Sequence, residues 1–157
     1  MIQPRFETLA ETQLVGLSIT MSIAENKTGE LWSAFMPRLR EVTNVSNSNK
    51  FSLQIYPTDY FKSFDPTNEF IKWAAVAVDH LENIPEGMSA LHLKGGKYAI
   101  FDYVGSSQDP SVFQYIYSKW LPESEYQLDD RPHFEVLGEK YRNNDPNSEE
   151  EIWIPIK

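Results

Sequence analysis

The 157 residues carry 14 basic against 23 acidic side chains, a net charge of −9, and no cysteine. That balance repels phosphate backbones and argues against nucleic acid as a direct partner, and the missing cysteine excludes disulfides, thiolate metal sites and a cysteine nucleophile. A chain of this length buries roughly 70% of its unfolded surface without disulfide or metal, and no window approaches the ~20 apolar residues of a membrane-crossing helix.

The first ten residues lack the apolar run of a signal peptide. The expectation is a soluble, cytoplasmic protein forming one domain over 1–157. The chain starts almost at its first expected strand, 12–23, where Leu14, Val15, Leu17, Ile19 and Ile23 alternate with polar residues. Asn26 to Gly29 breaks that pattern. Thr28 is placed to cap a helix whose apolar stripe is Leu31, Trp32, Phe35, Met36 and Leu39. Pro37 predicts a kink or an end to its regular part.

After the polar loop 44–49, Phe51, Leu53 and Ile55 alternate with Ser52, Gln54 and Tyr56, as in a half-buried strand. A loop over 57–66 carries Tyr60, Phe61 and Phe64, and so predicts packing onto something. Residues 69–78 are read as a strand, although their alanines suit a helix. A connector over 79–96 contains Pro85, Gly87 and a Gly95-Gly96 turn. Gly95-Gly96-Lys97 lacks the spacing of a phosphate loop and reads as a turn.

The pattern then repeats. Strand 97–104 precedes a helix over 109–120, with Asp109 as cap and Pro110 at the first helical position. Strand 134–141, a turn-rich loop 143–148 and strand 149–156 follow. The fold class is therefore α+β: two β-α-β-β units, about 10–79 and 97–157, related by a pseudo-two-fold. They build an antiparallel sheet with helices on one face and a groove between the halves.

Side chains alternate across a strand. That alternation puts Ile152, Ile154 and Ile156 against the helices, and Glu151, Trp153 and Pro155 on the other face. Phe134 and Val136 point to the core, Glu135 and Leu137 to the groove. Ile71, Trp73, Ala75 and Ala77 share a face. The candidate ligand-binding groove thus contains Tyr56, Trp73, Glu135, Leu137, Glu151 and Trp153. Glu149 and Glu150 belong to an acidic run and read as solvated. His80, His92 and His133 have no paired metal-ligand spacing and read as surface or loop residues. No catalytic constellation, metal site or cofactor is expected.

Aromatic faces attract cations, at roughly 0.5–2 kcal/mol per contact, and a partly buried carboxylate adds a stronger charge term. Such a groove favours flat, lipophilic cations.

Several stretches carry a family resemblance in their order and spacing: Tyr98-Ala99-Ile100-Phe101, Gly105, Ile116 to Pro122, Arg131-Pro132-His133-Phe134-Glu135 and Glu151 to Ile156. They resemble the second half of GyrI-like domains, the effector-binding domains of certain AraC- and MerR-type regulators. Gly16-Leu17, Leu31 to Phe35, Leu53 to Tyr56 and Trp73-Ala74-Ala75 fit the first half more loosely. The resemblance implies a duplicated fold, a ligand groove between the halves, and Glu135 as the central ligand-contacting acid. The family pattern has a tyrosine two residues after that glutamate, where this chain has Leu137.

With no room for a helix-turn-helix ahead of the first strand, the chain resembles free-standing members. Three functions follow. The favoured one is a stand-alone small-molecule binding module for hydrophobic, cationic or aromatic compounds, acting in sensing or sequestration. The second is a hydrolase whose groove glutamate activates water, with Tyr56 or Tyr98 as hydrogen-bond donor. The third is a protein-interaction module antagonising a gyrase-type toxin or target. The expected partner is a small hydrophobic or cationic molecule, with no direct nucleic acid and no membrane. A protein partner stays open.

Overall fold

Period-two runs of β-branched and aromatic residues become strands where a face can be buried. The computed structural model describes residues 2–157. It contains β1 (Arg5–Leu9), β2 (Thr12–Ser22), β3 (Lys50–Ile55), β4 (Glu69–Ala77), β5 (Ser89–Leu93), β6 (Gly96–Val104), β7 (His133–Leu137) and β8 (Glu149–Pro155). These form one strongly curled, eight-stranded sheet in the order β1-β6-β8-β7-β3-β4-β2-β5, antiparallel throughout.

The order is a mirror sequence about the β7–β3 pair. Each half is β-β-α-β-β rather than the expected β-α-β-β, and its first strand is lent to the other half. Thus β1 pairs with β6, and β5 pairs with β2. β5 lies inside the stretch expected to be a connector, where Pro85 and Gly87 conceal a short strand. The links β1–β2 and β5–β6 cross closely: a Cβ on Gly95 would lie 2.4 Å from the Leu9 carbonyl oxygen. In β2, a Cβ on Gly16 would lie 2.0 Å from the Ala74 carbonyl oxygen, so only glycine fits there.

The α1 helix (Thr28–Phe35) stops at Pro37, and the chain continues as a 3₁₀ turn over Met36–Glu41. Thr28 begins the helix rather than capping it. Its backbone N–H is accepted by the Asn26 side-chain oxygen at 2.9 Å. The second helical stretch runs from α2 (Ser111–Tyr115) through a π turn (Ile116–Trp120) to α3 (Leu121–Glu123). Asp109 does act at its start, accepting the Ser111 N–H at 3.0 Å. The expected strand 134–141 is shorter, because Gly138 to Tyr141 closes a turn.

Both helical stretches cover the same sheet face. α1 buries Leu31 and Phe35 against Val15, Ala74 and Val76 of β2 and β4. The second stretch buries Val112 and Ile116 against Ala99, Phe101, Ile152 and Ile154 of β6 and β8. Each such side chain contributes about 1.5–3 kcal/mol. The curl closes the far face on itself around Leu14, Phe51, Leu53, Trp73, Tyr98, Ile100, Phe134 and Trp153. The central strands β3 and β7 therefore lie between the helical stretches, which leaves a seam on the helix side. No helix among the described residues is long and apolar enough to cross a membrane.

Candidate functional site

The floor of the seam follows from strand register. Glu135 of β7 lies opposite Ser52 on one side and Ile152 on the other. Gln54 lies opposite both His133 and Lys72. Cross-strand partners share a face, so Ser52, Gln54, Lys72, His133, Glu135 and Leu137 all face the helices. Sequence alternation continues the floor to Glu150 of β8.

Glu135 is nearly sealed, with 12% of its side chain exposed, and Lys72 keeps 9%. Gln54 donates from Nε2 to Glu135 Oε1 at 3.3 Å, and Lys72 Nζ lies 3.9 Å from the same oxygen. Burial holds the Glu135 carboxyl above its ordinary range, opposed by Lys72 and Gln54. Burial lowers the Lys72 ammonium, opposed by Glu135 and Glu150. Glu150 is pushed up to about 7, by burial first and then by the charge of Glu135.

The other end of the seam is aromatic. His133 is 4% exposed, and burial, with help from Arg131, drives its pKa down to about 3, so its ring is neutral. Its Nδ1 shares a 2.9 Å hydrogen bond with the Tyr117 hydroxyl. Phe61 stacks on both rings, with centroids 5.3 Å from His133 and 5.1 Å from Tyr117. Tyr56 meets His133 edge-on at 4.9 Å and also touches Tyr60, Phe61 and Phe70. Tyr60 and Phe61 of the loop 57–66 thus do pack, as its composition predicts, and roof this end of the seam, whereas Phe64, expected to pack with them, is 81% exposed. Phe61 remains 41% exposed. Burial raises the Tyr56 and Tyr117 hydroxyl pKa values, so both stay protonated donors.

The structure divides the residues expected to share one groove. Tyr56, Glu135 and Leu137 belong to the helix-side seam. Trp73, Glu151 and Trp153 belong to the far face. Trp153 stacks on Phe134 at 5.2 Å and donates from Nε1 to Glu151 Oε1 at 3.0 Å. The other Glu151 oxygen accepts from Arg5 Nη2 at 2.6 Å. Trp73 is buried beside Leu53 in the same core, and its Nε1 has no hydrogen-bond partner among the described residues. Tyr98 is also on the far face, donating to the Pro132 carbonyl at 2.9 Å, so it cannot serve Glu135.

Two readings are corrected here. Glu150 is a half-buried seam residue rather than a solvated one, because its face is shared with Ile152. His133 begins β7 and is buried rather than lying at the surface. Gln54, Lys72, Tyr117 and Phe61 were not among the candidate residues. One signal could have found Lys72: it alternates with Phe70, Ala74 and Val76, a lysine among buried positions.

A curled antiparallel sheet with mirrored halves, two helical stretches on one face and a buried glutamate between them sets a specific pattern. The GyrI-like family model, described as a GyrI-like small molecule binding domain, matches residues 2–157. The chain belongs to the GyrI-like family. This GyrI-like chain is 30% identical over 145 residues to the transcriptional regulator BrlR of Pseudomonas aeruginosa, a match covering 91% of the chain and 51% of BrlR. It spans about half the length of that curated relative.

Among solved structures it is similar to SAV2435 bound to tetraphenylphosphonium, with a TM-score of 0.67 and 20% identity over 99% of this chain and 94% of that one. It is also similar to the EcmrR C-terminal domain, with a TM-score of 0.73 and 11% identity over 100% and 98%. At these identities the two structures establish the GyrI-like fold.

Proposed function

We propose that this GyrI-like domain binds lipophilic organic molecules in the helix-side seam, with a cationic group held by Glu135 and an aromatic body held by Tyr56, Phe61 and Tyr117. One observation carries the reading. Glu135 is a nearly sealed carboxylate at the junction of the halves, its second oxygen Oε2 has no hydrogen bond among the described residues, and an aromatic cluster stands beside it. A buried anion costs several kcal/mol unless compensated, so a cation placed against Glu135 offsets part of that cost. Phe61 is the adaptable wall, since it is half exposed and sits on a loop. The ligand-bound relative SAV2435 supports the same reading. The role is effector binding, in sensing or sequestration, in the cytoplasm. The net charge of −9 keeps the domain itself off nucleic acid.

The test is titration with tetraphenylphosphonium, followed by tryptophan fluorescence. Saturable binding is expected, weakened at least about tenfold in Glu135→Gln, the size expected when a charge-assisted contact is lost. Equal affinity in the variant and the wild type would remove Glu135 as the anchor.

A further inference from the structure

The seam contains a cation of its own that the proposed reading does not use. Lys72 comes from β4, on the opposite side of β3 from Glu135. Its side chain is nine-tenths buried, yet its ammonium makes no hydrogen bond among the described residues. Its contact with Glu135 is a 3.9 Å ion pair, beyond hydrogen-bond length, and the Glu135 oxygen it faces is already taken by Gln54. Its register opposite Gln54 puts it on the helix-side face with Glu135, at the floor of the seam. An ammonium has three donors and no acceptor. Three unused donors at the floor of a partly apolar site are costly, and an oxygen anion would satisfy them.

The acids are also more than Lys72 needs. Glu135 on β7 and Glu150 on the adjacent β8 share its face, both on the same side of it across β3, and each carries an oxygen that accepts no hydrogen bond among the described residues. The floor thus has two poles: Lys72 for an anionic oxygen, and the two glutamates for a cation. Resting on the binding function above, we infer that this domain prefers amphoteric aromatic ligands: molecules whose carboxylate or phenolate oxygen is held by Lys72 Nζ while their cationic part lies against Glu135 and Glu150. A purely cationic ligand would meet Lys72 as a repelling neighbour. An uncharged one would leave all three groups unpaired.

The test uses rhodamine B, which carries both a free carboxylate and a cationic ring system, and its ethyl ester, which keeps only the cation. Each is titrated into the wild-type chain by fluorescence anisotropy. Rhodamine B is expected to bind at least about fivefold more tightly than the ester, as expected for one charge-assisted hydrogen bond. Lys72→Met is expected to weaken the acid and strengthen the ester, reversing the order. Wild-type binding of the ester as tight as that of the acid overturns the inference without any variant. So does an acid-to-ester ratio that moves less than twofold in a folded Lys72→Met protein. Both of those results leave the binding function standing. Failure of the wild type to bind either dye, or tetraphenylphosphonium, overturns the function and this inference together.

Discussion

Glu135 and Trp153 lie on adjacent strands yet on opposite faces of the sheet. The cross-strand partner of Glu135 is Ile152, and that of Trp153 is Phe134. A side-chain period of two makes this a complete separation. Trp153→Phe should therefore act through the far-face core alone. It is expected to cost about 1–3 kcal/mol in urea unfolding, from lost packing and the lost bond to Glu151. Affinity for tetraphenylphosphonium should stay within twofold. A large loss of affinity at full folding would mean that the ligand enters the far face.

The Tyr117–His133 hydrogen bond ties the second helical stretch to the first residue of β7. Tyr117→Phe leaves a buried ring nitrogen short of a partner, so a loss of about 1–3 kcal/mol is expected. The ring stack with Phe61 should survive. Thermal unfolding measures the first effect. Unchanged melting would show that the hydroxyl contributes nothing to the docking of the helix.

Glu150 gives the stability a pH signature. Its folded pKa, about 7, lies above the ordinary carboxylate value, so the folded state holds a proton that the unfolded chain releases. Its contribution is greatest below the unfolded value and declines as pH rises through about 7. His133 acts in the opposite sense. With a folded pKa of about 3, its contribution grows as pH rises toward the ordinary histidine value and is complete above it. Glu150→Gln removes only the first effect. The melting temperature of the variant relative to wild type should therefore climb between about pH 5 and about pH 8. A constant difference would mean that Glu150 titrates as a solvated acid.

Arg5 reaches Asp102 at 2.5 Å and Glu151 at 2.6 Å, across β1, β6 and β8. Those carboxylates raise its pKa further above the ordinary arginine value, led by the hydrogen bond to Asp102. The side chain is 40% exposed, so solvent and salt screen the pairs. Arg5→Met should cost no more than about 1 kcal/mol at low salt, and less in molar salt. A cost that persists in salt would show that the aliphatic stem, rather than the charge, supports β1.

Much of this architecture is legible residue by residue. The alternation of β2, β3 and β8 marks strands, Pro37 marks the end of α1, and Asp109 marks the start of α2. The family phrase around Arg131 to Glu135 marks the acid at the halves' junction. The same alternation correctly sets Glu135 apart from Phe134, and Ile152 apart from Trp153, within each strand. The phase between strands lies elsewhere. It depends on which residue of β7 faces which residue of β8, and one residue of register exchanges every partner. That register puts Glu135 with Ile152 and Glu150, and so moves Trp153 and Glu151 out of its company, while the pairing of β3 with β4 and β7 sets Trp73 with Leu53 and Phe134 on the far face.

The chain by itself determined the six inner strands, the two helical stretches, a doubled pattern short of its first strand in each half, and the presence of a glutamate between the halves. These follow from periodicity and local chemistry, which are written in neighbouring residues. Only the tertiary structure decided that β1 and β5 cross between halves, that the seam opens on the helix side, and that Lys72 stands 3.9 Å from Glu135. These are contacts between residues far apart in sequence. They are fixed by the pairing of whole strands and the burial of whole faces, which no local pattern records.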